Sequence, residues 1–496
     1  MLISNFYSNI KEDIDIKGIT ANSKIVRKGY IFVAIKGKTH NGEKYIKEAL
    51  KNGAVFIVSK KLSLDYRYIH VKKPRLELIR LLKIFYSYPD SIYTVGITGT
   101  DGKTTTSTIL NSIFNTFTSS CYIGTNGITY LNKNIPTKNT TVAPELFYPT
   151  QQVLKKHNIN TCIMEISSEG ILDSRIEGIK FNGAIFTNLS HEHLNSHKTM
   201  SNYFLCKMKL FKKLKKDQLA VINADDEFGI RIPFYTNARI ITYGIHHGDY
   251  KAVNISYNLD YTTFHVYLHG NWIGMFKTYL FGIYNVYNAL AAIAYTYEFG
   301  IDIDDIKDGI LRLDEVSGRF MRLSHNNSEY IIDYAHTPNA LKNLLTSINK
   351  VKKNKVIIIT GAQGEKDKSK RKLMGNVATT LADITIFTSE DPKHESLFSI
   401  FSDLVKDIEN KEYYLTLSRY DAIKLAVRIS MPNDIILITG KGNERYERIK
   451  DYEFYHSDLE LLKKAIEENK KWDITTFSQN IRKWDNISFI LYLMLF

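Results

Sequence analysis

Two hydrophobic periods alternate along this 496-residue chain. Short, nearly continuous apolar runs of strand length are followed by stretches whose apolar residues recur every three or four positions, the period of a helix face. Residues 30–35 and 54–58 read as strands around a helical pattern at 45–52, which predicts a small α/β domain over residues 1–87. From 88 to 315 the strand-like runs are 93–97, 161–166, 183–187 and 219–223, each separated from the next by helical patterning. Such alternation predicts a mainly parallel sheet with helices on both faces. Residues 251–280 instead alternate polar with aromatic and β-branched side chains, which predicts antiparallel strands at the edge of that sheet, and a helix follows over 285–299. A third α/β unit, 316–470, repeats the alternation at 330–333, 356–360, 384–388 and 435–439 and reads as a Rossmann-like domain without a phosphate loop. Residues 471–496 form a tail to which the pattern assigns no role.

Composition is that of a globular protein, 44% hydrophobic and 24% charged with nine prolines, and the length fits about three domains. The net charge of +14 favours an anionic partner such as a nucleotide, a sugar nucleotide or nucleic acid. No basic run is interleaved with aromatics as in an RNA-binding module, and Lys212-Lys213 and Lys215-Lys216 read as solvated helix faces. Cys121, Cys162 and Cys206 lack metal-site spacing; Cys162 sits in an apolar strand and reads as core, and a reducing compartment is expected. The N-terminus has no basic and apolar signal-peptide pattern, and the apolar stretch 487–496 is too short for a membrane-spanning helix, which needs about 20 residues. The expectation is a cytoplasmic monomer with no membrane span and no nucleic-acid partner.

The most informative segment is Gly96-Ile97-Thr98-Gly99-Thr100-Asp101-Gly102-Lys103-Thr104-Thr105-Thr106, between a strand and a helical pattern. Strand, glycine-rich turn, lysine, hydroxyls and helix make a phosphate-binding loop: backbone N–H groups and the helix N-terminus face phosphate oxygens, the lysine adds a cation, and a threonine hydroxyl can ligate Mg²⁺. The first glycine stands one residue earlier than in the usual loop. Glu165 closes the strand that precedes Ser167 and Ser168, where a carboxylate beside a phosphate loop suits a nucleotide-bound Mg²⁺. His191, His193 and His197 follow another strand; without cysteines or helical zinc spacing, His191 and His197 read as solvated loop residues and Lys207 as an ordinary surface lysine. In the third unit, Asp333 to Pro338, Gly361 to Arg371, Ser389 to Lys393 and Gly440 to Tyr446 each follow a strand and carry charge. Loops at one end of an open sheet converge on a ligand cleft.

These motifs, in this order from about residue 20 to 460, resemble the Mur ligase family, MurE type. The matching segments are Gly99 to Thr105, Asn139-Thr140-Thr141, Met164 to Ser168 with Arg175, Asp333 to Pro338, and Gly440 to Glu444. The resemblance implies a three-domain α/β architecture: a uridine-nucleotide-binding first domain, a central P-loop ATP-binding domain and a C-terminal Rossmann-like ligase domain. It implies an ATP- and Mg²⁺-dependent amide ligase of peptidoglycan synthesis. The substrate γ-carboxylate of UDP-N-acetylmuramoyl-L-Ala-D-Glu would be phosphorylated by ATP, and a diamino acid, meso-diaminopimelate or L-lysine, would attack the acyl phosphate.

Roles carry over by position. Gly99, Thr100, Asp101, Gly102, Lys103, Thr104 and Thr105 would hold ATP phosphates, Asn285 and Asn288 would lie near the adenine, and Arg319 and Asp333 would reach ATP from the third domain. Thr104, Glu165 and His193 would contact metal. Lys207, fourteen positions after His193, matches the lysine that the family carbamylates. Ser23, with Thr39 to Gly42, would bind the uridine end; Asn139, Thr140, Thr141, Ser167, Ser168, Arg175, His336, Asp391, Lys393, Gly440 and Glu444 would bind the remaining substrate. The chain departs from the family at Asp101, Glu169, His191, Glu192 and Asn195, around the metal and substrate edge. It also has Glu390-Asp391-Pro392-Lys393 where diaminopimelate-adding members have Asp-Asn-Pro-Arg. Lys393 keeps the cation but not the bidentate fork, so the two diamino acids remain open. Folylpolyglutamate- or cyanophycin-like ligases, a decayed binding protein and a nucleic-acid-binding ATPase are the competing readings.

Overall fold

The computed structural model describes residues 1–10, 12–37, 41–65, 67–88, 91–409 and 411–469. Thr39, His40 and the apolar stretch 487–496 lie outside the described residues.

Four parallel strands, Gly18–Thr20, Tyr30–Val33, Ala54–Ser59 and Tyr68–His70, form the first sheet in chain order. Helix Pro74–Phe85 buries Leu78, Ile79, Leu81 and Leu82 against it and against the helix Pro144–Lys156 of the next unit. Proline at the first position suits that helix start, because its missing N–H would have no intrahelical partner there.

The central sheet has eleven strands. Strand Tyr93–Thr98 lies between Thr161–Glu165 and Gly183–Phe186, parallel to both. The chain leaves it in one direction and returns on the other side, so a crevice opens at its C-terminal end, where open α/β sheets bind ligands. Leu219–Asn223 and Arg239–Gly244 extend the sheet in parallel. Tyr250–Tyr257, Thr262–Leu268 and Asn271–Thr278 form the expected antiparallel edge. Helix Ile283–Phe299 follows and buries nearly a full circumference, from Asn285 to Thr296, between the sheet and the helix Lys103–Phe117. Val95, Ile97, Ile109, Leu110, Ile113 and Leu290 share that core.

In the third sheet, Ser328–Asp333, Ile435–Thr439, Val356–Thr360, Ile384–Phe387 and Tyr413–Leu415 run parallel, with Met321–His325 antiparallel at one edge. The four charged loops named above all leave the C-terminal ends of parallel strands in this sheet. A separate hairpin, Tyr446–Ile449 with Tyr452–Tyr455, stands beside them. The stacked rings of Phe281 and Phe320, with centroids 4.4 Å apart, join the central and third units.

Cys162 is core, as expected. The lysine pairs at 212–216 do not line a helix: helix Met200–Phe211 ends before them, and they occupy the turn that follows. Among the described residues, no helix is long and apolar enough to cross a membrane.

Candidate active site

The phosphate loop is held by its neighbours. Gly99 at φ +153° lies so close to Thr187 that a side chain there would strike the Thr187 Oγ1, with backbone atoms of Asn188 at 3.0 Å. Asn188, just past the adjacent strand, supports the loop from three atoms. Its carbonyl accepts from Thr100 N–H at 2.8 Å, its Oδ1 accepts from Asp101 N–H at 3.0 Å, and its Nδ2 donates to the Asp101 carbonyl at 3.1 Å. Gly102 at φ +82° starts the helix against Asn288, whose Oδ1 accepts from Thr106 and whose Nδ2 donates to Asn285 Oδ1 at 2.9 Å.

Two lysines flank one carbonyl. Lys103 Nζ donates to the Gly99 and Thr100 carbonyls at 3.1 and 2.7 Å, and Lys207 Nζ donates to the Gly99 carbonyl at 2.7 Å. Lys207 is 1% exposed and lies 4.5 Å from the centre of the Tyr203 ring, so it is no surface lysine. Helix Met200–Phe211 explains this: Thr199 caps it, and Tyr203, Phe204, Leu210 and Phe211 form a core-facing stripe in which Lys207 occupies an inward position. No carboxylate pairs with its ammonium among the described residues. Burial, and then repulsion from Lys103, hold its pKa well below the ordinary lysine value. Burial also lowers Lys103, with Glu165 and Asp101 opposing.

Glu165 is fully buried, not a solvated strand end. Tyr122 OH donates to its Oε1 at 2.5 Å, Thr125 N–H donates to the same oxygen at 3.0 Å, and Thr104 Oγ1 donates to Oε2 at 3.0 Å. A threonine hydroxyl and a carboxylate oxygen thus meet at the start of the phosphate-loop helix, an all-oxygen donor pair of the kind that, with phosphate oxygens, suits Mg²⁺. His193 sits at φ +58° with Nδ1 3.9 Å from Glu169 Oε1. Burial, and then the charge of Lys207, push its imidazole pKa down, leaving a neutral ring that can act as a ligand. His197 is not solvated: it is buried and stacked on Tyr203 at 4.8 Å. Among the described residues no three His, Cys, Asp or Glu side chains already form a metal cluster.

The third unit closes over this loop. Thr337, which caps helix Pro338–Asn349, donates to the Asp101 carboxylate at 3.3 Å. His191 Nε2 meets Ser369 Oγ at 2.7 Å, and Leu194 N–H donates to Asp367 at 3.2 Å. Lys370 pairs with Glu192 at 2.9 Å, each side chain only 4% exposed, and also donates to the His336 carbonyl at 2.9 Å. Several departures from the family pattern therefore lie on one inter-domain seam.

Asp333 accepts from Phe320 and Ala335 N–H groups, both at 2.8 Å, and burial raises its pKa. Arg319 lies over the Tyr334 ring at 4.3 Å, and Tyr334 OH donates to Glu444 at 3.4 Å. Lys441 bridges Asp391 at 2.7 Å and Glu444 at 3.1 Å. His336 is held by Nδ1 donating to the Tyr334 carbonyl at 2.8 Å, and burial keeps it neutral.

A cleft of about 890 Å³ joins these groups. The central unit contributes Thr100 through Thr105, Asn139, Thr140, Glu165, Ser167, Arg175, His193, Asn285 and Asn288. The C-terminal part contributes Arg319, Asp333, His336, Asp391, Lys393 and Glu444. Gly99, Thr141, Ser168, Lys207 and Gly440 do not line it. Thr141 is buried, donating to the Glu165 carbonyl at 3.0 Å, while its carbonyl accepts from Arg175 at 2.9 Å. Ser168 is buried at the start of a short helix, and Gly440, at φ +109°, packs against Glu390. Ser23 belongs to the first unit and donates to Glu48 at 2.7 Å.

Sequence reasoning did not pick out Asn188, Tyr122 or Arg448; Asn188 and Arg448 line the cleft, as do Lys366 and Lys370 of the charged 361–371 loop that the sequence did single out. Asn188 had a signal, lying just past the strand adjacent to the phosphate loop. Tyr122 had none beyond its strand.

Two family models match the chain: the Mur ligase middle domain over residues 97–296 and the Mur ligase glutamate ligase domain over residues 318–442. A Bacillus velezensis protein named UDP-N-acetylmuramoyl-L-alanyl-D-glutamate–2,6-diaminopimelate ligase is 35% identical over 482 residues, covering 95% of this chain and 98% of its own. An Oceanobacillus iheyensis protein named UDP-N-acetylmuramyl-tripeptide synthetase 2 is 37% identical over 462 residues, covering 90% and 93%. A solved structure of a UDP-N-acetylmuramoyl-L-alanyl-D-glutamate–2,6-diaminopimelate ligase superposes with a TM-score of 0.64 at 26% identity, over 95% of this chain and all of that one.

Proposed function

The chain belongs to the Mur ligase family, and from that premise we propose that it is an ATP-dependent amide ligase joining meso-diaminopimelate to the D-glutamyl residue of UDP-N-acetylmuramoyl-L-Ala-D-Glu. One observation carries the reading: a single cleft connects the phosphate loop, with Lys103 and Glu165, to the strand-end loops that bear Lys393 and Glu444. A nucleotide on the first and an amino acid on the second can share the same reacting centre. The relatives whose names specify diaminopimelate match along almost the whole chain.

A substrate carboxylate oxygen attacks the γ-phosphorus of ATP, and ADP leaves with the electron pair of the broken P–O bond. The diamino acid's amine then attacks the acyl carbon, inorganic phosphate departs, and the amine loses a proton. Lys103 and the N–H groups at the helix start offset the charge of facing anions. Asn285 and Asn288 support the nucleotide side. Arg175, Asn139, Thr140 and Ser167 border the carboxylate substrate. Arg319, Asp333 and His336 complete the site from the third unit, whose seam with the central unit excludes the water that would hydrolyse an acyl phosphate.

Thr104 and Glu165 would hold one Mg²⁺, and His193 with a carbamylated Lys207 a second; bound metal supplies positive charge between the two reacting anions. An ammonium is no metal ligand. The physical support for the carbamate is the buried Lys207 environment, which favours a neutral amine. Such an amine adds to CO₂ by forming an N–C bond and losing one proton, which turns a neutral group into an anion; counted from the ammonium, two protons leave and a cation is replaced by an anion. Ser23 would reach the uridine end from the first unit, and the site of action is the cytoplasm.

The test is turnover by the purified full-length chain with Mg-ATP, the nucleotide dipeptide and each diamino acid, scoring ADP and tripeptide. Equimolar ADP and tripeptide with diaminopimelate is expected. ADP release that ignores the dipeptide, or no tripeptide with any diamino acid, would overturn the proposal.

A further inference from the structure

Three cations face the amino-acid end of the cleft. Lys366, Lys393 and Arg448 all line it. Lys393 stands at φ +53°, pinned to the hairpin Tyr446–Ile449 and Tyr452–Tyr455 by two backbone bonds: its N–H donates to the Arg448 carbonyl at 3.0 Å, and its carbonyl accepts from Lys450 N–H at 2.9 Å. The ammonium groups of Lys366 and Lys393 have no carboxylate partner among the described residues. The two carboxylates whose charge acts on Lys393 are engaged elsewhere, Asp391 by Lys441 at 2.7 Å and Glu365 by His394 at 2.9 Å. Arg448 uses only its Nε, toward Glu453 at 3.0 Å, and its guanidinium lies 4.7 Å from the centre of the Tyr446 ring. Its two terminal nitrogens are without a hydrogen-bond partner among the described residues.

Two unpaired ammonium groups and the free edge of a guanidinium held through its Nε by Glu453, gathered in one cleft, suit an anion. The two diamino acids differ at their far end in this respect. Lysine ends in a lone ammonium, which three facing cations repel. Diaminopimelate ends in an ammonium and a carboxylate together. Lys393 offers a point charge, whereas a carboxylate is best held by a planar pair of N–H donors. Arg448 carries that fork on the segment that fixes Lys393.

We propose that Arg448 is a specificity-determining residue: with Lys393 and Lys366 it receives the far carboxylate of a diamino dicarboxylic acid, while Glu444 takes the neighbouring ammonium. The proposal rests on the ligase reading above. Selectivity then comes as much from repulsion of the lysine ammonium as from attraction of the carboxylate. Arg448 touches substrate only at this non-reacting end and takes no part in bond making.

The experiment measures kcat and KM for meso-diaminopimelate and for L-lysine in the full-length enzyme and in Arg448→Gln, Arg448→Lys and Glu453→Gln. In Arg448→Gln the ratio of kcat/KM for diaminopimelate over lysine falls tenfold or more, carried by KM for diaminopimelate. Arg448→Lys restores part of the ratio. Glu453→Gln, which removes the residue's structural partner, leaves the ratio within twofold. Equal losses for both amino acids in Arg448→Gln, or a ratio unchanged from the parent, overturn the proposal. If the parent enzyme turns over neither amino acid, the ligase reading fails. The specificity claim is then decided by calorimetric binding of each amino acid to the full-length chain, where equal affinities would refute it.

Discussion

Glu390 provides a quantitative test of the third unit's electrostatics. Its side chain is fully buried, and its Oε2 has no hydrogen-bond partner among the described residues. The surrounding cations already serve other carboxylates: Arg419 holds Asp458 at 2.7 Å, Lys441 holds Asp391 at 2.7 Å, and Lys370 holds Glu192 at 2.9 Å. Burial therefore raises the Glu390 pKa from 4.5 to about 7, with Arg419, Lys370 and Lys441 limiting the rise. The folded-state value lies above the unfolded one. The associated stability is fully present below about pH 4.5 and is lost as pH rises through about 7. At about 1.4 kcal/mol for each pH unit between those values, the loss amounts to ~3 kcal/mol. Glu390→Gln keeps the shape but cannot ionise. Whatever fixed offset the amide introduces is the same at every pH, so the informative quantity is the change in the stability difference between parent and variant. That difference, from calorimetric or denaturant unfolding of the full-length chain at pH 5, 6, 7 and 8, should move by ~3 kcal/mol in favour of the variant as pH rises. A difference that stays flat from pH 5 to 8 would refute the reasoning, since Glu390 would then ionise as an ordinary carboxylate in the folded chain.

Lys207→Ala should leave the fold intact by circular dichroism yet abolish ligation; full activity in the variant would remove Lys207 from the site. Glu192→Gln and Lys370→Met should each cost about 3 kcal/mol, because each leaves the other member of a buried pair without its partner. The double variant should cost less than the two together by ~1–3 kcal/mol. Calorimetric unfolding measures the three variants, and strictly additive losses would show that the pair is not coupled.

Much of the fold was legible because burial on both faces leaves a simple signature. Residues 183–186 and 435–439, and 162–164 between a polar Thr161 and Glu165, are almost wholly apolar, and they lie in central parallel strands. The antiparallel edge at 250–278 was legible for the opposite reason, since its alternation reflects one covered and one exposed face. Lys133–Ile135 was not: all three residues are exposed, so no hydrophobic pattern marks the strand, which forms only because Gly127–Tyr130 offers a paired edge. The hairpin at 446–455 has the same character, with Tyr452 to Tyr455 exposed and cross-strand pairing in place of a core.

The site divides along a similar line. The phosphate loop is local, so its residues are neighbours in the chain and could be read there. Lys207 lies 108 positions from Gly99, whose carbonyl it meets, and composition alone makes it one lysine among many. Yet its helix carries a usable sign. With Tyr203, Leu210 and Phe211 marking the buried face, a lysine on the same face must either find a carboxylate or give up its charge. Here Asp101, whose charge acts on Lys207, accepts from Ser190 and Thr337 and does not pair with it, and the buried Glu165 is bound by Tyr122, Thr125 and Thr104. Burial and the charge of Lys103 therefore hold the Lys207 pKa well below the ordinary lysine value, which makes its amine easier to deprotonate than that of the same residue on the protein surface.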